Sequence, residues 1–520
     1  MNRRKWAVLA AAVSIGALCL SGCARWLLPS RGDTSRTGQT EAAAAHFSKE
    51  KFWSGEATGD AALMKDKAET MTSEELLAYQ SPYRERMTDQ YKRQLSQEQT
   101  LIYQAILYAS DQGYPYLDFP AEWAQEQENL WDIYSYVALD SPLVESNVRE
   151  STWTAEKGSI QLENPAFSEV FLNKKRQAVE KAETIVAVMP DSHRTSQEKA
   201  RYLYDYLTAY CVYEEYEDAA SCQSYLYDAL CEGRSICDGF SNALSLLYQC
   251  AGIESFEKMR LGTAVTAPEK DSSTDRIDRR RGHVWVSAEI EGAYYNFDPT
   301  FDIGEENVSR AALSPLWFMF PDGDEEHKPV FGGGVLPACT AGEVGALVRD
   351  MTAGKADTAD SLTPRVMDIL EDNYWADQSY ARIWFDTAPG KPLVRALIDD
   401  VSERIGEKDW PNWMLIYRQQ DHLLVISICM VYDGADAPDS VIRHASEQLR
   451  QFNADGFGYA VVQFDVEDGE ASGRALLDDL RDAVEAAGID TPVYGDSFES
   501  SDGDFRYWQY WLRKPFPAAG

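Results

Sequence analysis

Basic residues are scarce in this chain: 49 Lys and Arg stand against 85 Asp and Glu, for a formal charge of −36 at pH 7. That balance repels nucleic acid and anionic headgroups, which excludes phosphate-backbone binding as a main activity. The acid excess is spread along the chain, as on a solvated surface. Histidine is scarcer still, with six in 520 residues. The apolar run Ala7 to Leu20 falls short of the roughly 20 residues a spanning helix needs. No internal repeat and no dedicated calcium loop is visible, and the cysteine spacings around Cys231 do not fit zinc knuckles. No metal and no cofactor is therefore expected.

What is present at the amino terminus is a sorting pattern. Arg3, Arg4 and Lys5 precede the apolar run, and Leu20-Ser-Gly-Cys23 resembles the lipobox at which bacterial lipoproteins are cleaved and acylated. Residues 1–22 read as a signal peptide and Cys23 as the lipidation site, so the expected location is the outer face of the bacterial cell membrane. Residues 23–50, rich in Thr, Ser, Gly and Ala, read as a flexible tether. Beyond the signal and Cys23, seven cysteines remain, an odd number that predicts a free thiol. Cys237 is the candidate, while Cys211, Cys250 and Cys429 sit among apolar neighbours as plain buried thiols. A disulfide from Cys237 to Cys222 or Cys231 is the competing expectation.

Two stretches carry the chemistry. In Gly233-Arg-Ser-Ile-Cys237-Asp-Gly-Phe-Ser-Asn-Ala-Leu244, apolar residues from Phe240 recur at helical spacing through Ala251, with Gly252 as a stop. Cys237 then falls at the first turn, where free N–H groups and the helix dipole favour a thiolate. In the second stretch, His283 to Ile290 alternates like a strand and Glu291-Gly292 reads as a hairpin turn. Counting back from that turn sets Trp285 opposite Asp298, leaving His283 and Asp298 as diagonal neighbours on one face. A thiol, an imidazole to take its proton and a carboxylate to fix the imidazole tautomer are what cysteine nucleophile chemistry requires.

Gly-x-x-x-Cys-x-Gly-Phe opening a helix, followed by Gly-His-x-Trp, Tyr and Asp-Pro-Thr at these spacings, resembles the transglutaminase-like superfamily over roughly residues 190–305. The resemblance implies a papain-like core with Cys237 as nucleophile, His283 as general base and acid, and Asp298 as the orienting carboxylate. It also implies acyl transfer or hydrolysis at amide bonds, on a peptide, protein or cell-wall substrate. A catalytically silent binding or scaffolding lipoprotein is the alternative. The Cys237 amide is an expected oxyanion donor, with Gln223 or Tyr227 as the second. Arg276 and Arg279 to Arg281 form the one basic cluster, and it leads into His283.

The expected fold class is α+β. It comprises a mainly helical N-terminal region (51–185), the transglutaminase-like domain (186–330), a linker (331–378) and a small C-terminal α/β domain of unknown role (379–520). Within the first region, Ser96-Gln-Glu-Gln99 predicts a capped helix ending near Gly113. Aromatic residues from Tyr103 to Tyr136 read chiefly as core.

Overall fold

The computed structural model describes residues 43–48 and 69–513, apart from intervening segments of which the longest are 215–223, 261–281, 304–315 and 340–349. The signal peptide, Cys23, Gln223 and the arginines 276 and 279–281 lie outside the described residues. Helices and strands are mixed throughout, as an α+β class requires. No described helix is long and apolar enough to cross a membrane.

Among the described residues between 51 and 185 more lie in helices than in strands, but the strands assemble into a sheet that the sequence did not announce. The sheet is five-stranded and antiparallel, in the order Glu69–Thr72, Ala44–Ser48, Tyr116–Pro120, Lys157–Gln161, Glu150–Trp153. Strand Ala44–Ser48 also shortens the expected tether: Ala45 and Phe47 are fully buried because strands far along the chain cover them. The helix predicted from its cap is present as Gln97–Gln112. Ser96 and Gln99 cap each other's backbone, and Gly113 closes the helix with a left-handed φ of 69°. Tyr103 and Tyr108 lie off the periodic face, yet both are buried, because the sheet, helix Gln127–Asp140 and residue 79 surround this helix.

The central layer sets helices Ser168–Ala187, Ser196–Tyr210 and Cys237–Cys250 against a three-stranded antiparallel sheet whose middle strand is His283–Ile290. Every residue from Gly239 to Gln249 is buried, which explains why one helix can hold this layer together. At Gly239 a Cβ would lie 1.9 Å from Ser235 Oγ and 2.4 Å from the Tyr225 carbonyl, so only glycine lets the incoming chain pass this close. The hairpin has the predicted register, with Ala293 opposite Ile290 and Phe297 opposite Val286. Glu291 and Gly292 both take positive φ, 53° and 87°, as a two-residue turn between twisted strands demands.

Residues 350–372, read as linker, contain strand Asp350–Ala353 and helix Ala359–Asp372. They open the first of two α/β layers. One sheet runs Asp350–Ala353, Gln378–Phe385, Leu423–Met430, Trp413–Gln420; the other runs Tyr432–Asp433, Phe457–Asp465, Phe505–Arg513, Val493–Glu499. In both, the first pair is parallel and the other two are antiparallel. In both, the chain order is strand, helix, strand, helix, strand, strand. The C-terminal part is thus a structural repeat, where none was expected. Its sequence trace is slight: Tyr380-Ala and Phe385-Asp recur as Tyr459-Ala and Phe464-Asp, and Arg395-Ala-Leu-Ile-Asp-Asp recurs as Arg474-Ala-Leu-Leu-Asp-Asp, all 79 positions on.

Two arginines, Arg382 fully buried and Arg418 partly so, dock the first α/β layer on the central one. Arg382 donates to the carbonyls of Phe318 and Met319 and lies over the Trp384 ring. Arg418 Nη1 donates to Asp302 Oδ1 at 2.9 Å, and Asp302 also accepts from Tyr204 Oη and the amides of Leu316 and Trp317. The Asp302→Ala variant leaves Arg418 and three other donors without their acceptor in a buried place. A loss of about 3–5 kcal/mol is expected, read as a fall in the urea midpoint of the unit that holds both residues.

Candidate active site

Cys237 is the first residue of its helix, preceded by Ile236, which offers no side-chain cap. Four residues on, Ser241 Oγ donates to the Val284 carbonyl at 2.9 Å, pinning the helix to the strand that carries His283. The Val284 amide in turn donates to the Cys237 sulfur. Both backbone groups of Val284, the residue after His283, are therefore engaged by the first turn and a half of the helix. Cys237 and Cys231 both carry free thiols, so the disulfide expected between them is absent, while Cys222 lies outside the described residues.

The thiolate expectation is overturned. Burial, then the Asp238 carboxylate, pushes the Cys237 thiol well above its ordinary range, and the amides of Val284 and Asp238 do not offset them. The resting form at neutral pH is the thiol. A base is consequently required before this sulfur can attack anything.

His283 Nε2 donates to Asp298 Oδ2 at 2.5 Å, with Asp298 fully buried at 0% exposure. This contact follows from the hairpin register, since strand twist brings diagonal neighbours together. The ring stacks on Phe301 at 4.4 Å, which fixes its plane. With Nε2 engaged, Nδ1 is the nitrogen left to exchange a proton. Asp298 Oδ1 accepts from the amides of Thr300 and Phe301 at 3.0 and 3.2 Å, so the Asp-Pro-Thr turn folds back on its own carboxylate. Burial opposes ionisation of Asp298, but His283 and His327 overcome it and hold the carboxyl below the usual carboxylate range.

His327 is the residue that sequence reasoning missed. Its Nε2 donates to Asp298 Oδ2 at 2.8 Å and its Nδ1 faces Asp324 Oδ2 at 3.1 Å, within a box formed by Trp285, Phe301, Trp317 and Phe320. Asp298 thus bridges two imidazoles. No spacing rule connects residue 327 to the Cys237 and His283 motifs, and scarcity of histidine was the only clue. Among the described residues, His283, Asp298 and His327 form the one cluster whose atoms could hold a metal ion. Their 2.5 and 2.8 Å separations are those of hydrogen bonds, and a tetrahedral ion with bonds near 2.0–2.1 Å would hold its ligands about 3.3 Å apart.

Burial disfavours a charged His327, yet Asp298 and Asp324 raise its pKa above the ordinary value. A raised imidazole stabilises the fold fully below its unfolded pKa of about 6.5, and that contribution is lost as pH climbs through the folded value. The stability gap between wild type and His327→Gln is expected to be widest near pH 6 and to narrow steadily towards pH 9. Urea midpoints across that range measure it, and a constant gap would show that His327 stays neutral.

Of the expected oxyanion donors, the Cys237 amide stands at the free helix end. Tyr227 is engaged elsewhere: its ring lies under Lys174 Nζ, and its amide donates to Ser224 Oγ. A cavity opens beside His283, walled by the Cys237 helix, strand Ser255–Arg260 and helix Gln127–Asp140 of the N-terminal region.

Comparison with known proteins agrees with the central layer. Residues 183–299 match the transglutaminase-like superfamily. The matched transglutaminase-like segment contains Cys237, His283 and Asp298, and it ends before His327 and Asp324. No curated protein matches the chain. Among solved structures, a “putative protease” from Parabacteroides distasonis aligns at 10% identity with a TM-score of 0.20, covering 55% of this chain and 56% of that one.

Proposed function

We propose that this protein is an exported, lipid-anchored enzyme of cysteine-based acyl chemistry, acting on amide bonds of peptide, protein or cell-wall substrates. The observation that carries the reading is the 2.5 Å contact between His283 Nε2 and Asp298 Oδ2, next to an unpaired Cys237 at a helix start. His283 Nδ1 takes the Cys237 proton as sulfur attacks the amide carbonyl. The oxyanion that forms is met by the Cys237 amide, and the proton passes to the departing amine as the carbon–nitrogen bond breaks. The resulting thioester is resolved by water, giving hydrolysis, or by a second amine, giving transamidation.

A thiol held well above its ordinary pKa favours a second reading, a binding module that keeps the fold without turnover. Incubation with amide-bearing peptides and cell-wall fragments, with and without an added primary amine, separates the readings. Ammonia release, chain cleavage and amine incorporation are followed independently. Any one of them, abolished in Cys237→Ala, supports the enzyme; none of them, with Cys237 no more reactive in the folded than in the unfolded protein, supports the module. Anchoring through Cys23 rests on the lipobox alone. It predicts detergent-phase partition of the exported protein, and Cys23→Ala in the aqueous phase.

A further inference from the structure

Glu145 is an acid whose bonds reach out of its own region. It follows Leu143, packed in the core of the central layer, and Val144, packed in that of the N-terminal region, so it stands on the seam between the two. Tyr134 Oη, from helix Gln127–Asp140, donates to its carbonyl at 2.6 Å and holds its backbone on the N-terminal side. The side chain crosses to the central layer. Its Oε2 accepts from the Tyr225 amide at 2.7 Å, and its Oε1 accepts from Ser224 Oγ, on a residue only 1% exposed.

Both partners open the short helical stretch that leads to the nucleophile. Helix Tyr225–Tyr227 runs on through the wider turn Asp228–Glu232 to Gly233. Ser224 Oγ accepts from the Tyr227 amide at 3.3 Å, while the Glu145 carboxylate takes up an amide that no earlier turn can satisfy. From Tyr225 the contacts go straight on to the Cys237 helix. The Tyr225 carbonyl accepts from Ser235 Oγ at 3.1 Å, Ser235 is fully buried, and both crowd the place where Gly239 has no side chain. Ser235 stands two residues before Cys237 and Gly239 two residues after it.

We propose that Glu145 is a positioning residue for the nucleophile: its carboxylate ties the N-terminal region to Ser224 and Tyr225 and so sets the chain entry that places the Cys237 sulfur and amide. The assignment rests on the reading of Cys237 given above and makes the N-terminal region part of the reacting unit. Among the described residues no lysine or arginine pairs with this carboxyl; Lys175 Nζ bonds to Ser110 and Lys174 Nζ to Asp228. Burial pushes the carboxyl up to about 7 against the pull of Ser224 and Tyr225, with Asp228 adding to the rise and Lys175 opposing it. Glu257 is a further acid within electrostatic reach. An amide side chain could meet the same two groups without the cost of burying a charge, which points to a use for the charge. Once ionised, the carboxylate makes bonds about twice as strong as a neutral acceptor would.

Acylation by p-nitrophenyl acetate tests this without knowledge of the natural substrate. In the full-length protein the Cys237 sulfur attacks the acetyl carbonyl and its proton passes to His283. The ester carbon–oxygen bond breaks, p-nitrophenolate departs and an acetyl thioester remains. The rate is read from the burst of p-nitrophenolate that Cys237→Ala lacks, well below the thermal midpoint of each variant. Glu145→Ala is expected to acylate about tenfold more slowly, since small misplacements of reacting groups cost up to about 10²-fold. Ser96→Ala, which removes a helix cap of the same region, should lose stability and keep the wild-type rate. Glu145→Gln should match wild type near pH 6, where Glu145 is mostly protonated, and fall behind it about threefold by pH 8.5. Taking the ratio of these two rates cancels the titration of Cys237 and His283 that both proteins share.

A wild-type acylation rate in Glu145→Ala, or a ratio of wild type to Glu145→Gln that stays at one across that range, would overturn the positioning role while leaving the nucleophile intact. A wild type with no burst beyond that of Cys237→Ala would overturn both readings. If Glu145→Ala does not fold, the Glu145→Gln comparison decides alone. A ratio that rises through pH 7 upholds the role, and a flat one removes it.

Discussion

The Cys237→Ala variant is expected to lose at least about 10⁴-fold in kcat on any amide substrate while keeping its fold. The argument starts from what the sulfur does in the resting protein. It accepts from the Val284 amide and, as a thiol, points towards Asp238 Oδ2 at 3.6 Å, a long and weak contact. Neither contact supports the packing of the helix, whose buried face runs from Gly239 to Gln249. Removing sulfur should therefore cost only about 1 kcal/mol in stability. Catalysis has no substitute for it, because the helix-end amide and the His283 pair can stabilise an oxyanion and move a proton but cannot form the thioester. Single-turnover assays for an acyl intermediate, with thermal midpoints as the control for folding, measure both halves. Turnover within tenfold of wild type would show that the sulfur is a bystander.

A second large effect is expected from Asp298→Asn, a loss of about 10³–10⁴-fold in kcat/KM. The amide oxygen can still accept from Thr300 and Phe301, so the turn after the strand keeps its shape. The amide nitrogen, however, replaces the oxygen that both His283 and His327 contact, and it donates where the carboxylate accepted. To meet it, His283 must present a bare Nε2 and carry its proton on Nδ1, the nitrogen that has to receive the Cys237 proton. The base is lost through its tautomer rather than its position. Protonating the ring does not rescue it, since two imidazolium rings would then face a neutral amide. Comparison of the pH–rate profiles and urea midpoints of the two proteins checks the prediction. A variant that loses stability but keeps most of its kcat/KM would assign Asp298 a structural role alone.

Much of the central site could be read from the chain because its determinants are local. Cys237 at a helix start follows from the spacing of Phe240, Ala243, Leu244 and Leu247, and the pairing of His283 with Asp298 follows from one two-residue turn. The helix cap at Ser96 is likewise written within four residues. Local rules failed where neighbours come from afar. Residues 44–48 have the composition of a tether, yet they are a strand because His46 pairs with Thr70 on one side and Asp118 on the other. The duplicated α/β layers escaped notice because a sheet order is kept by burial pattern and direction, which few identical residues need record.

The sequence by itself determined a helix-end cysteine, a histidine and an aspartate in one hairpin, and the transglutaminase-like character of the segment that holds them. Only the tertiary structure decided that Asp298 serves two imidazoles, that Cys237 rests as a thiol and that Glu145 meets the chain leading to it. The physical reason is the same in each case. Helix periodicity, turns and caps are set by a few adjacent residues, whereas charge state and polar pairing are set by desolvation and by whichever groups the folded chain brings within hydrogen-bond reach.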